Sequence, residues 1–223
     1  LHWLLHSFPT RRSSDLEYIM YDFYKKQIVE KTQSLTMQQS ALYSLYNCEK
    51  IIEMYKMIVY QYNVGNYFLI KQMSYYLWDN IYKYKKNEAF ESNFIQMNDY
   101  VPNSDSYPGV ANAIALNVVI CLDIAYKCIT GHSNNSNLSG LYVYDTLRQC
   151  LLSKRPDIKY ITKQIISEID QTSIILELKF EELSLIENIE SKVLNRSFVW
   201  DIFSKAQSNK YNYDLIKWNN SLF

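Results

Sequence analysis

The chain has 223 residues with 23 basic and 23 acidic side chains, so no net field draws it to nucleic acid or to an anionic membrane surface. Four glycines and four prolines are too few for the many tight turns of a β-sandwich or β-barrel. The length is sufficient for one helical domain with a sizeable core.

The N-terminal segment differs in character from the rest of the chain. Its opening residues, LHWLLH, are apolar but too short for a signal peptide. The following stretch, FPTRRSSDL, resembles the translation of a common sequencing-library adapter. We therefore interpret residues 1–16 as an artefact or a disordered tail, and residues 17–223 as a single helical domain.

Two helices are predicted before residue 63. The first spans Glu17–Thr32, and the second begins after Thr36, which forms a T-x-x-Q capping-box pattern with Gln39. The second helix is predicted to end at the Asn63-Val64-Gly65 turn, where glycine favours the left-handed conformation. Its apolar residues alternate four and three apart and so share one stripe: Ala41, Leu45, Cys48, Ile52, Tyr55, Val59 and Tyr62.

The middle of the chain is predicted to hold the most buried helix. Helices over residues 66–85 and 88–98 lead to a polar turn that contains Pro102 and Pro108. Proline is tolerated in the first turn of a helix, so Pro108 is expected to begin a helix that ends at Gly131. Its uncharged run, residues 110–122, is shorter than the roughly 20 residues that a membrane span requires. We predict a core helix and no membrane association.

The last third of the chain also shows helical periodicity. Helices are predicted over residues 138–152, from residue 157 through at least 183, and over 198–206 and 213–218. The sequence leaves open whether the long pattern breaks near Ser184. The fold class is thus all-α: one compact bundle of about seven to nine helices around a central buried helix at about 108–130.

Few residues are suited to metal or nucleophilic chemistry. The four cysteines lie within helical patterns without a CxxC pair, which is typical of buried thiols in a reducing compartment. Outside the N-terminal segment His132 is the only histidine, and its place beside a helix end favours an interaction with the last carbonyls over metal ligation. No glycine-rich phosphate-binding loop is present. We expect no cofactor and no metal.

Carboxylates offer the remaining chemical possibilities. Glu168, Asp170, Glu177 and Glu181 could form an acid/base pair, but their spacing is more typical of the solvated face of a helix. Asp105 is expected to cap the central turn or the helix after it. Asp123 could be the buried partner of a tyrosine hydroxyl or a lysine.

A basic and aromatic cluster, Lys83–Lys86, resembles RNA-binding surfaces. It is isolated in a neutral chain, and cations are favoured at a helix end in any case. RNA binding is therefore a weaker alternative, and no DNA binding is expected.

Several segments together resemble a known family. They are LYSLYNCEKIIEMYKMI, a glycine turn, a helix with YYLWDNI, and VPNSDSYPGVANAIALNVVICLDIAY. Their order over about residues 37–209 is similar to that of the uncharacterised bacterial YjaG-like family, the domain of unknown function 416. Val101, Pro102 and Asp105 match the turn of that family, and Ala111, Ala113 and Leu116 match the helix that follows.

Two departures from the family pattern are visible. The turn is shorter, and Asn112 stands where the family tends to have an aspartate. The resemblance implies a compact, all-helical, cytoplasmic bacterial domain and brings no known reaction. The family-motif positions Pro102, Asp105, Pro108 and Asn112, together with Asp123, are the candidate functional residues.

The predicted function follows from the scarcity of catalytic patterns and the abundance of tyrosine, 21 residues in all, a type enriched at protein interfaces. We predict a non-enzymatic protein that contacts an unknown protein partner in an accessory, regulatory or toxin-immunity role. The alternative is an enzyme or small-ligand binder with an interior carboxylate site near Asp105 and Asp123. The sequence does not determine the oligomeric state.

Overall fold

The computed structural model describes residues 15–83, 88–101, 109–155, 158 and 160–211. Within these ranges the chain forms nine α-helices and no strand, which confirms the predicted all-α class. The helices are α1 (Asp15–Thr32), α2 (Met37–Tyr62), α3 (Tyr67–Asn80), α4 (Glu88–Ile95), α5 (Val110–Ile129), α6 (Asn137–Ser153), α7 (Lys163–Asp170), α8 (Ser173–Glu190) and α9 (Arg196–Ser208). A 3₁₀ turn, Met97–Tyr100, follows α4.

The ends of α2 have the structures that the sequence predicts. The Thr36 hydroxyl accepts from the Gln39 amide at 3.3 Å, while the Gln39 side-chain oxygen accepts from the Thr36 amide at 2.9 Å. At the other end Asn63 takes the left-handed conformation, with φ 52°, and Gly65 has φ +74°. Both residue types tolerate positive φ, so the chain reverses within four residues and enters α3.

The capping box yields a stability prediction. Thr36→Ala should lower the free energy of unfolding by about 1 kcal/mol, because the Gln39 amide loses its acceptor. Chemical denaturation monitored by circular dichroism would measure the change. Gln38→Ala, at an exposed position in the same turn, is the control and should change stability by less than about 0.5 kcal/mol. Equal effects of the two substitutions would contradict the prediction.

Helices α2 and α5 form the centre of the bundle. They pack extensively against each other, α2 also contacts α3, α6, α8 and α9, and α5 also contacts α3 and α6. Every residue from Gln39 to Ile52 of α2 is buried, so this part of the helix is surrounded on all sides. The polar side chains on α2 must therefore find partners inside the protein.

Helix α5 is the predicted core helix, and it begins after Gly109 at Val110. Among the described residues it alone is long and apolar enough to span a membrane, and most of that stretch is buried in the bundle. Inside the bundle Asn117 donates to the Thr146 hydroxyl at 2.9 Å and to the Tyr142 carbonyl at 3.2 Å. Thus residues of α6 accept the hydrogen bonds of Asn117, the polar side chain that interrupts the apolar run of α5.

The prediction of one long helix from residue 157 is wrong, because the structure has two helices in this part of the chain. Helix α7 starts only at Lys163 and ends at Asp170, and α8 begins at Ser173 and continues without a break past Ser184 to Glu190. The interruption falls at Thr172, which has extended backbone and whose hydroxyl donates to the Ile169 carbonyl at 2.6 Å. A threonine that bonds nearby backbone competes with helix continuation, and an i, i+4 pattern does not reveal this competition.

Other boundaries differ by smaller amounts. Helix α3 ends at Asn80 rather than near residue 85, and α4 ends at Ile95 before the 3₁₀ turn. The predicted helix over residues 213–218 lies outside the described residues. The assignment of residues 17–223 to one domain stays a prediction.

Candidate functional site

The polar side chains buried around α2 are the most unusual feature of the bundle. Glu49 is fully buried and accepts from Lys71 at 2.6 Å, from Ser74 at 2.6 Å and from Gln207 at 2.7 Å. These donors come from α3 and α9, so a single carboxylate joins three helices. The free-energy cost of burying the Glu49–Lys71 ion pair is offset only because both carboxylate oxygens accept hydrogen bonds.

Lys50, the next residue, points into a second polar group. Its ammonium lies 2.5 Å from Glu181 of α8 and 4.8 Å from the centre of the Tyr211 ring. Glu181 also accepts from Tyr46 and, at 2.5 Å, from Asn209. Burial alone would raise the pKa of Glu181, but the charge of Lys50 and these hydrogen bonds hold that pKa below its usual value. Glu181 is therefore a stable anion that ties α8 to α2.

Glu182, adjacent in sequence, is in a different environment. Its side chain is completely buried, and its hydrogen bond in the structure comes from the Tyr24 hydroxyl of α1. Its second oxygen and the nearby Tyr43 hydroxyl are buried without a hydrogen-bond partner among the described residues. Burial raises the pKa of Glu182 to about 7. This carboxyl group can thus exchange its proton near neutral pH.

A third group connects α1 with α6, α7 and α8. Tyr144 donates to Asp170, and Lys179 lies 3.8 Å from Asp170. The Lys179 ammonium also lies 5.6 Å from the ring centre of Tyr24 and 5.3 Å from that of Tyr144. Burial lowers the pKa of Lys179, and Asp170 opposes this change. The group is an internal ion pair covered by two aromatic rings.

A cleft of about 270 Å³ opens beside the Lys50–Glu181 pair. Its lining combines one apolar residue with charged and polar ones: Ile174, Glu177, Glu181, Asn209, Lys210 and Tyr211. Lys210 is held by Glu53 at 3.1 Å, and Glu181 is held by Lys50. The cleft is a place where a small polar molecule could contact α8 and the residues after α9.

The described residues contain no group of three or more histidine, cysteine or acidic side chains placed to hold a metal ion. All four cysteines are buried and free, as predicted, and burial raises the pKa of each thiol. His132 is exposed, and its ring nitrogen lies 2.7 Å from the Thr130 hydroxyl rather than on a helix carbonyl. These polar groups stabilise the bundle through paired charges, and Glu182 is a buried carboxyl group whose pKa burial raises.

The candidate residues chosen from sequence do not form one site. Pro102, Asp105 and Pro108 lie outside the described residues. Asn112 and Asp123 are 11 residues apart on α5, which separates them by about 16 Å along the helix axis. Asn112 is partly exposed and its side-chain oxygen has no partner among the described residues. Asp123 pairs with Lys127 at 2.5 Å on a partly exposed face, so it has a lysine partner but not a buried one.

Of the carboxylates assigned to a solvated helix face, one is buried and one is partly buried. Asp170 is 3% exposed, and Glu181 bonds Lys50, whereas Glu168 and Glu177 are exposed as predicted. Sequence reasoning also missed the buried residues Glu49, Lys50 and Glu182. Glu49 and Glu182 interrupt otherwise apolar helix faces, and that interruption was the available signal for them, whereas Lys50 lies off the apolar stripe of α2. In the Lys83–Lys86 cluster only Lys83 is described, and its side chain is exposed beside the Tyr82 ring.

The fold and its buried pairs define a class of all-helical bundle with an internally charged core. The chain has the fold of a DUF416 family protein from Shewanella baltica OS155, with a TM-score of 0.69 over 80% of this chain and 92% of the other. The two sequences are 16% identical, so the likeness confirms the predicted resemblance at the level of the fold. No protein-family model and no curated protein matches the chain in sequence.

Proposed function

We propose that the protein is a DUF416-type helical protein that acts without catalysis, through contacts with another protein, in an accessory, regulatory or toxin-immunity role. The resemblance further supports a bacterial, cytoplasmic setting for it. The observation that carries the proposal is an aromatic surface formed by Phe68 and Tyr75 of α3 with Trp200 and Phe203 of α9.

The aromatic surface is partly open to solvent. Phe68 is 67% exposed and Tyr75 is 44% exposed, and they lie seven residues apart, on the same face of α3. The Phe203 ring centre is 5.8 Å from that of Tyr75 and 5.0 Å from that of Trp200. Adjacent exposed aromatic rings of this kind are typical of the residues that contribute most to binding at protein interfaces.

The test is capture of a stoichiometric partner from the native host by the full chain. The double variant Phe68→Ala/Tyr75→Ala should lower affinity for that partner at least about tenfold, because truncating two interface aromatics costs more than about 1.4 kcal/mol. Leu176→Ala/Phe180→Ala is the matched control, since both residues are exposed on α8. Thermal unfolding would verify that both variants fold. Absence of any stoichiometric partner, or equal losses in the two double variants, would refute the proposal.

A second candidate function rests on the cleft beside Lys50 and Glu181. Its polar lining favours a small-molecule ligand, which keeps the ligand-binding alternative but moves it from Asp105 and Asp123 to α8. Isothermal titration of the wild-type chain and of Glu177→Gln with polar metabolite mixtures would test this alternative. Saturable binding that Glu177→Gln weakens would support the ligand-binding alternative. If the wild-type chain shows no saturable binding, the alternative is refuted.

A further inference from the structure

One wall of the cleft beside α8 consists of the three residues that follow α9. Asn209 donates to Glu181 of α8 at 2.5 Å, and the Lys210 ammonium lies 3.1 Å from Glu53 of α2. The Tyr211 amide donates to a backbone carbonyl of α2 at 3.0 Å. Each residue of this wall is thus fixed to another helix by its own polar contact. A site with a fixed wall loses little conformational entropy when a ligand binds.

The opposite wall is one face of α8. Ile174, Glu177 and Glu181 line the cleft, and they are three and four residues apart, so they lie on the same side of the helix. They extend over about 10 Å along the helix axis. An apolar side chain therefore lies at one end of this wall, and two carboxylates one turn apart lie towards the other. This order suits a ligand with an apolar part and a polar head.

The charges that line the cleft are not equally compensated. Glu181 pairs with Lys50 at 2.5 Å, and Lys210 pairs with Glu53. Glu177 is exposed and has no oppositely charged partner among the described residues. The uncompensated charge among these lining residues is therefore negative.

Glu181 can still accept a hydrogen bond. A carboxylate has about four acceptor positions. Tyr46 and Asn209 donate to one oxygen of Glu181, and Lys50 donates to the other. One position thus remains on the oxygen that Lys50 contacts, and 20% of the side chain is exposed. Together with Glu177, the cleft offers carboxylate acceptors from two adjacent helical turns to a group with several donors.

We infer that this cleft binds a small aliphatic primary ammonium ion, with its three N–H donors shared between Glu177 and Glu181 and its alkyl chain against Ile174. The inference rests on the ligand-binding alternative proposed above, for which it names the class of ligand, and it is independent of the aromatic surface. The cleft volume of about 270 Å³ is slightly below the roughly 300–1,000 Å³ of pockets for drug-sized molecules, so it suits a short alkyl chain.

Other classes of ligand fit these charges less well. An anion would lie beside Glu177 without a cation to pair with, because Lys50 and Lys210 already have carboxylate partners. A calcium ion takes about six to eight oxygen ligands, and the described residues contain no group of three metal-binding side chains. An ammonium ion, in contrast, relieves the repulsion between two carboxylates that are one helical turn apart.

Calorimetric titration of the full chain with n-pentylamine, which is protonated at neutral pH, tests the inference. Saturable binding of one amine per chain is expected. Pentanoate, an anion with the same number of carbons, should bind at least about tenfold more weakly. Added salt should weaken amine binding, because the charge of Glu177 is exposed and therefore screened. Absence of saturable amine binding, or equally tight binding of pentanoate, overturns the inference.

Variants of Glu177 test whether the amine binds in this cleft. Glu177→Gln should weaken amine binding at least about fivefold, and Glu177→Asp should retain most of the affinity. Glu190→Gln is the matched control, because Glu190 is also exposed on α8 but does not line the cleft. It should change the affinity less than about twofold. Equal losses in Glu177→Gln and Glu190→Gln would mean that only the overall charge attracts the amine, and would overturn the inference.

The two titrations distinguish the ligand class from the ligand site. If a component of the metabolite mixtures binds the wild type but not Glu177→Gln, while n-pentylamine does not bind, the ammonium class is overturned and the cleft remains a ligand site. If neither binds, both the inference and the ligand-binding alternative are refuted. Thermal unfolding of each variant verifies its fold, which substitution of the exposed Glu177 should leave intact.

Discussion

Glu49→Gln should lower the free energy of unfolding by about 3–5 kcal/mol, the usual cost of removing one partner from a buried ion pair. Glu49 is fully buried on α2, and the Lys71 ammonium that it binds at 2.6 Å has only 11% of its side chain exposed. The substitution keeps the shape of the side chain but leaves Lys71 charged and unneutralised. The amide NH2 of glutamine would also face one of the groups that now donate a hydrogen bond to Glu49, so two donors would meet.

Urea denaturation of the wild type and the variant would measure this change. Lys71→Met in the Glu49→Gln background should restore part of the loss, because the uncompensated charge is then removed. Asp123→Asn serves as the comparison, since its partner Lys127 lies on a partly exposed face and such pairs contribute less than about 1 kcal/mol. A loss at Glu49 no larger than the loss at Asp123 would show that burial of the pair has little energetic effect.

Local features of the fold could be predicted from the sequence. The capping box of Thr36 and Gln39 and the turn at Asn63 involve residues within four positions of one another, so short-range chemistry determines them. The apolar run of α5 likewise predicts burial by itself. The Asp123–Lys127 pair has the i, i+4 spacing of a helical ion pair, which was visible in the sequence although we assigned Asp123 to a more buried place.

The internal charges could not be predicted in the same way. Lys50 and Glu181 are 131 residues apart, and Tyr24 and Glu182 are 158 apart. A helical stripe indicates one buried face, but the part of α2 that contains Lys50 is covered on every side. Periodicity therefore places a charged residue at the surface whenever it lies off the apolar stripe. Only the tertiary arrangement shows that α8 and α9 cover the remaining faces.

This difference between short-range and long-range features explains why the structure places the candidate site elsewhere than the sequence predicted. Asp105 and Asp123 were chosen because they lie on either side of the uncharged run, residues 110–122, which the sequence identifies well. The carboxylates with unusual surroundings are instead on α2 and α8, where the helices that cover them are remote in sequence. A carboxylate on an otherwise apolar face of a helix, as Glu49 and Glu182 are, is therefore a better indicator of an internal site than one that borders an uncharged run.

Gly140→Ala should destabilise the protein by about 2 kcal/mol, although alanine normally favours a helix by about 1 kcal/mol over glycine. Gly140 is buried within α6 and faces α2 and α8. A methyl group at this position would overlap the Tyr43 hydroxyl and lie 2.7 Å from a carboxylate oxygen of Glu182. Both side chains are fully buried, so neither can withdraw without moving its helix.

A double-mutant cycle with Tyr43→Phe isolates the cause of that loss. The Tyr43 hydroxyl has no hydrogen-bond partner among the described residues, so Tyr43→Phe alone should cost less than about 1 kcal/mol. In that background Gly140→Ala should cost at least about 1 kcal/mol less than in the wild type, because the overlapping oxygen is gone. Additive losses would mean that Glu182, not Tyr43, limits the space. In that case Glu182→Gln should also alter the cost of Gly140→Ala, because the carboxylate oxygen lies 2.7 Å from the added methyl group.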